Sequence, residues 1–357
     1  MISPTNTCGG AERIFAQLAN YFVSQSIEVV YVCFDSKSSF YKLEKNVVLK
    51  KMNLEFKSKV FFFKLMEAPI VEVKRFLYIR KLMKVFKPDL TIPFLEVAEL
   101  LTIPNCLMQK IPFCVSIRND YGRYRRYMKI LARLTYRKAK VVVCQTKEIE
   151  HSLLKSVKCK TAVIPNPIDE TTYAQEPFKG ERRKVIINVG RLTAQKNQKL
   201  LISAFKNVVR EYPDYELHIY GKGELLSTLQ KYVNNQKLHN YVSFKNIEFN
   251  VLLNNRDVSL FVMSSDYEGF PNALVEAMAN GIPVISTDFK SCAARELLDG
   301  GLCGGVVPIG DKDRLEKEIM YALSHPDVVA KKAEKGLYVR KELNSKKICK
   351  KWLQVLV

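Results

Sequence analysis

A chain of 357 residues is longer than one domain usually runs, so two domains are expected. Its 47% hydrophobic and 26% charged residues are globular proportions and exclude a disordered chain. The net charge of +21 is uneven: residues 1–166 hold 29 Lys and Arg against 13 Asp and Glu, residues 167–330 hold 19 against 21, and the last 27 residues hold 9 against 2. Such segregation implies a polyanionic partner, which could be nucleic acid, an anionic membrane or a phosphorylated substrate. Nine cysteines without a C-x-x-C pair argue against a disulfide framework and fit a reducing cytoplasm. Four scattered histidines argue against zinc. The opening MISPTNTCGG has no signal-peptide pattern, and no stretch reaches the roughly 18 apolar residues of a spanning helix.

In chain order, periodicity predicts a helix over Ala11–Ser24 and strands over Glu28–Phe34, Leu90–Pro93, Phe113–Ile117 and Lys140–Cys144. Pro165-Asn166-Pro167 reads as a rigid interdomain linker. The second half alternates more clearly. Strands are expected at Val185–Val189, Glu216–Tyr220, Tyr241–Phe244, Val258–Met263 and Val284–Thr287, with helices at 197–211, 224–235 and Ala273–Ala279. Repeated strand–loop–helix units predict α/β domains with doubly wound parallel sheets and ligands at the carboxyl ends of the strands.

Glu276 is the sole charge between Gly269 and Thr287, on a helix apolar nearly all round. Such a helix is expected to be buried, and a lone carboxylate there needs hydrogen-bond partners. Those partners are either structural groups or a pair of ligand hydroxyls. Gly269 and Pro271 keep Glu268 on a loop, and Asn272 is a candidate N-cap. The amides from Phe270 to Ala273 would then form an anion site at a helix N-terminus.

The segment SSDYEGFPNALVEAMANGIPVIST resembles the E-x7-E region of retaining glycosyltransferases of the large GT-B family four. Gly9-Gly10-Ala11-Glu12-Arg13, VGRLTAQKN at 189–197 and YGKGE at 220–224 extend the resemblance over essentially the whole chain. It implies two Rossmann-like domains facing a cleft: residues 1–166 for the acceptor, 167–340 for the nucleotide sugar, and a basic helix at 341–357 returning to the first domain. Bacterial polysaccharide- and lipopolysaccharide-assembly members are the nearest in character. It further implies that Arg191 and Lys196, with Gly10, hold the donor diphosphate. Glu268, Gly269, Phe270, Pro271 and Asn272 would hold the transferred sugar, and Glu276 the ribose. Gly9 would approach the phosphates or the acceptor, and Arg118, Asn119 and Asp120 would face the acceptor or the donor sugar, with Asp120 a candidate base. Gly221 and Gly223 would shape a turn at the cleft, or a plain turn. No cofactor and no metal is expected, and Asp311-Lys312-Asp313 reads as helix capping rather than a cation site. Two departures stand out: only Met1-Ile2 precede the Ser3-Pro4 loop where many members carry an apolar strand, and the first-domain loop after Phe113–Ile117 has Arg118-Asn119-Asp120 where many carry a His.

Residues 74–87 and 121–140 read as basic amphipathic helices, the second with Tyr124, Tyr127, Met128, Leu131 and Leu134 on an apolar face. Together with the charge of the first half they point to an anionic membrane and a lipid-linked sugar acceptor. The implied location is cytoplasmic, peripheral on the inner face of the cell membrane. UDP-hexose is the expected donor. Two other readings compete: a sugar-nucleotide epimerase of the same fold, and a nucleic-acid-binding protein. The motif set argues against the first, and the second has no recognition motif to support it.

Overall fold

The computed structural model describes all residues except 6–8, 36–40, 55–60 and 247, and only the backbone of 61–67. The chain divides into two compact units, Met1–Pro167 with Lys346–Val357, and Ile168–Ser345.

The first unit holds β1 (Ile2–Ser3), α1 (Gly10–Ser24), β2 (Val30–Cys33), β3 (Val48–Lys51), α2 (Phe61–Phe86), α3 (Glu96–Gln109), β4 (Val115–Ser116), α4 (Arg126–Thr135), β5 (Val142–Cys144), α5 (Lys147–Leu154) and β6 (Thr161–Val163). Its strands pair in parallel as β1-β2-β3 and β4-β5-β6. Single bridges from Thr91, Pro93 and Phe94 to Phe113, Ile2 and Ser116 join the two sets. Gly9, in extended conformation, opens α1, whose Ile14, Phe15, Leu18, Ala19 and Phe22 are buried at helical spacing. Strand β1 has two residues. Beside it an apolar cavity of about 360 Å³ is lined by Met1, Val29, Val30, Met83, Leu90 and Leu356, among others.

The second unit holds β7 (Arg183–Val189), α6 (Gln198–Glu211), β8 (Glu216–Tyr220), α7 (Leu226–Asn235), β9 (Val242–Lys245), α8 (Val251–Asn254), β10 (Val258–Met263), α9 (Asn272–Ala279), β11 (Val284–Thr287), α10 (Ala293–Leu297), β12 (Gly305–Val307), α11 (Lys312–Ser324), α12 (Pro326–Gly336) and α13 (Val339–Glu342). Its six strands are parallel in the order β12-β11-β10-β7-β8-β9. The unit's first strand, β7, therefore sits mid-sheet, and the winding reverses between β7 and β10. In open parallel sheets ligands bind at such a reversal, at the carboxyl ends of the strands. Leu260–Met263 of β10 are all buried, as a strand covered on both faces must be.

A last helix, α14 (Ser345–Leu356), runs into the first unit. The crossing falls at Lys346 rather than 341, because Leu343 and Asn344 still pair with Ile168 inside the second unit. Trp352 of α14 is fully buried, its ring 6.4 Å from that of Phe94. Lys140 Nζ donates to the carbonyls of Leu356 and Val357 at 2.6 and 2.9 Å. Eight described cysteines are free thiols, six of them buried. Among the described residues no helix is long and apolar enough to cross a membrane.

Candidate active site at the switch point of the second unit

Two loops meet at the reversal between β7 and β10. The first, Gly190–Asn197, leaves β7. The second, Ser264–Pro271, leaves β10 and runs into α9. Main chain and side chains lace them together. Asp266 N donates to Gln195 O at 2.9 Å, Ser264 Oγ to Lys196 O at 3.0 Å, and Asn197 Nδ2 to Asp266 Oδ1 at 2.8 Å. Asn197, in the left-handed region at φ 43°, also caps α6 through Leu200 N. Gln198 Nε2 holds Arg191 O at 3.0 Å.

Lys196 and Glu268 come together at the centre. Lys196 Nζ lies 2.5 Å from Glu268 Oε1, and the side chains are 17% and 8% exposed. Ser265 Oγ donates to the same carboxylate oxygen at 2.7 Å, and Gln195 Nε2 to the other at 3.2 Å. Glu268 is thus a buried carboxylate held by a cation and two neutral donors, which offsets its desolvation. Arg191 is exposed, and its guanidinium has no hydrogen-bond or ion-pair partner among the described residues. It is the available cation of the site.

Two glycines explain how the Arg191 loop keeps its course. A Cβ on Gly221 would lie 2.1 Å from Gly190 O, and one on Gly223 would lie 2.3 Å from Leu192 O. The 220–225 turn presses its backbone on the loop, with Leu192 N bonded to Lys222 O and Leu225 N to Leu192 O. The reason for glycine is close approach, not turn dihedrals.

Helix α9 corrects two expectations. Pro271, not Asn272, occupies the N-cap position, and no side chain caps the helix. Asn272 N turns back to Phe270 O at 3.1 Å, which makes Asn272 the first helical residue. The amides of Ala273 and Leu274 have no main-chain acceptor among the described residues, so the helix still opens on donors. Glu276 is half-buried rather than buried. It shares with Asn272 and Ala273 the one stripe of α9 that reaches the surface, while Leu274, Val275, Ala277 and Met278 are buried. The carboxylate therefore sits where a ligand can reach it. Gly269, Phe270 and Pro271 form the buried floor of the preceding loop.

The first unit places its residues differently. Gly9 stands at the start of α1 with Tyr41 OH on its carbonyl at 3.0 Å, and Gly10 is exposed. The loop before them falls at 6–8, outside the described residues. Arg118, expected on the acceptor side, is buried at 7% exposure. Its guanidinium lies 4.2 Å from the Phe94 ring and 5.3 Å from the Trp352 ring, and Nη1 donates to Asn166 Oδ1 at 2.6 Å. Burial lowers its pKa to about 9. It acts here as a packing cation under α14. Asn119 is exposed. Asp120 accepts from Gly122 N at 2.8 Å and so caps a short turn. Asp311 likewise accepts from Arg314 N at 2.9 Å and caps α11, the capping reading of D-x-D.

Some site neighbours escaped the sequence reading. Gln195 and Ser265 were hidden as ordinary loop polars, although both flank the motif residues they serve. In the first unit Leu95 has φ 71° and ψ 154°, a region costly for any residue with a Cβ, just before α3. Four residues on, Glu99 is fully buried and accepts from Tyr136 OH at 2.6 Å. Burial pushes its carboxyl up to about 8.

Comparison with known proteins decides the family. The model of Glycosyl transferases group 1 matches residues 169–337, and that of Glycosyltransferase Family 4 matches 8–172. An uncharacterized glycosyltransferase of Methanocaldococcus jannaschii is 31% identical over 80% of this chain and 83% of its own. The chain belongs to this glycosyltransferase family. A Campylobacter jejuni relative named as an alpha-1,4-N-acetyl-D-galactosaminyltransferase for a PP-undecaprenol-linked saccharide is 24% identical over 99% of this chain and 97% of its own. The solved structure of Anabaena HepE with UDP and glucose aligns with TM-score 0.81 at 17% identity, over 99% and 98% of the two chains. That likeness carries the fold, and this glycosyltransferase has the GT-B architecture of two α/β units with parallel sheets.

Proposed function

We propose that this glycosyltransferase moves a hexosyl unit, with retention, from a nucleoside diphosphate sugar to a lipid-linked glycan during surface polysaccharide assembly. UDP-hexose is the donor in this reading. The observation that carries it is the cluster at the β7–β10 switch point: exposed Arg191, unpartnered among the described residues, Lys196 paired to buried Glu268, and α9 opening on amide donors beside them. Two cations and a helix N-terminus suit a diphosphate, and their charge is worth most as the leaving group becomes more negative.

Glu268, with Gly269, Phe270, Pro271 and Asn272, receives the hydroxyls of the transferred sugar. Its orientation is set before binding by Lys196, Ser265 and Gln195. Glu276, on the accessible stripe of α9, accepts from the ribose hydroxyls in charge-assisted bonds. No side chain is asked to form a covalent intermediate. The leaving phosphate oxygen takes the acceptor's proton on the face where the new bond forms, and the protein supplies position and positive charge. No metal is invoked.

The acceptor half rests on the charge of the first unit and on the relative named for a PP-undecaprenol-linked substrate. The protein then works peripherally at the cytoplasmic face of an anionic membrane, with Gly9, Asn119 and Asp120 toward the acceptor. A thermal-shift screen of nucleotides and nucleotide sugars tests the donor half. A clear stabilisation by UDP or a UDP-hexose, lost in Glu276→Gln, is the expected result. Indifference to all nucleotides sinks the reading.

A further inference from the structure

The helices of the first unit leave apolar side chains outside in a regular pattern. On α4, Met128, Ala132 and Thr135 are buried, whereas Tyr127, Ile130 and Leu134 are 47%, 48% and 63% exposed. The apolar face read from sequence therefore splits in two, because α4 packs through one edge only. The exposed residues stand at i, i+3 and i+7, one row along the helix. Exposed Arg126, Arg133 and Arg137 run beside that row. No acidic residue occurs between Asp120 and Glu148 to neutralise them.

Helix α2 repeats the arrangement. Ile70, Val73 and Leu77 are 60%, 57% and 53% exposed at the same i, i+3, i+7 spacing, and Lys74, Lys81 and Lys84 are exposed around them. Helix α3 packs against both α2 and α4. Aliphatic rows in water are costly, and a soluble surface would normally carry polar groups there. Rows of Ile, Leu, Val and Tyr bordered by one sign of charge match the boundary between acyl chains and anionic headgroups.

We propose that the first unit inserts the α4 row Tyr127-Ile130-Leu134, together with the α2 row, into an anionic bilayer, and that the flanking arginines and lysines bind its headgroups. This rests on the membrane reading above but is independent of which sugar is transferred. It specifies insertion of named side chains where that reading needs only attraction.

The test uses the whole chain with vesicles of phosphatidylcholine alone or with phosphatidylglycerol. In an Ile130→Trp variant, the new indole is compared with Trp352, which is fully buried and gives the unquenched background. Lipids brominated on the acyl chain should quench the added emission only in anionic vesicles. A Tyr127→Ser/Ile130→Ser/Leu134→Ser variant should keep its melting temperature, since these side chains are exposed, and should lose about tenfold or more in vesicle partitioning. Binding that vanishes at about 0.5 M salt with no quenching overturns insertion and leaves the electrostatic membrane reading standing. No binding to either vesicle overturns both. Self-association abolished by the triple variant assigns the face to a second copy and also overturns the proposal.

Discussion

The Lys196–Glu268 pair concentrates the electrostatics of the site in two side chains. Removing the cation leaves a buried carboxylate held by Ser265 and Gln195 alone. Lys196→Ala should therefore cost about 3 kcal/mol of stability, read by urea unfolding, as well as abolish transfer. Glu268→Gln keeps the shape and an acceptor for Ser265 and Lys196, but turns a donor NH2 toward Gln195 Nε2 and removes the charge that pairs Lys196. It should lower the melting temperature less than Lys196→Ala does and lower turnover by about 10²-fold. Equal turnover in the variant and the native protein removes Glu268 from the reaction. Glu99 makes a different prediction. Burial raises its carboxyl from 4.5 to about 8, so the folded chain keeps a proton that the unfolded chain releases. Its contribution to stability is full below about pH 4.5 and is lost as pH rises through about 8. Native protein should thus lose stability relative to Glu99→Gln between about pH 5 and pH 9. A pH-independent difference between the two would contradict this. Glu276 stood out in the sequence as one charge in an apolar run, and Glu99 did not. Glu99 follows Glu96 at one-turn spacing, which looks like a charged surface edge, and only the packing of Tyr136 over it reveals otherwise.

At the scale of elements, the second half of the chain was legible because its strands are long and nearly continuous in apolar residues. Glu216–Tyr220, Val258–Met263 and Val284–Thr287 form where expected. The first half was less so. Strands β1 and β4 have two residues each, too few to show a period, and β3 is the half-polar run VLKK. Helix α3 carries Pro104 inside it and lacks a side-chain cap, which removes both of its sequence signals. The N-cap of α9 was misplaced for a local reason, the Asn272-to-Phe270 turn. Backbone contact between elements is also invisible to periodicity, and Gly223 shows its force. Gly223→Ala would drive a Cβ onto Leu192 O, so a loss of about 2 kcal/mol or more is expected in thermal unfolding. Asp311→Ala should cost about 1 kcal/mol through the lost cap of α11 and leave transfer unchanged. Activity lost in that variant and restored by added divalent cation would revive the cation-site reading.

At the scale of the molecule, charge and chemistry are divided between the units. The second unit is near neutral and carries the paired Lys196 and Glu268, with Arg191 on the same loop as Lys196 and Glu276 on the helix that follows Glu268. The first carries the excess of Lys and Arg, the exposed rows of α2 and α4, and the basic helix α14 that joins it from the other end of the chain. This division was visible in composition alone, since net charge needs no structure. Which side chains face outward was not, because a helical wheel cannot tell a buried apolar face from an exposed one. The account stands or falls on transfer from a nucleotide sugar. The most direct measurement incubates the protein with UDP-hexose and a polyprenyl-diphosphate-linked sugar, follows UDP release, and determines the anomeric configuration of the product by NMR. The account predicts UDP release that depends on acceptor, a product with the donor's α configuration, and loss of both in Glu268→Gln. Acceptor-independent release, or an inverted product, would contradict it.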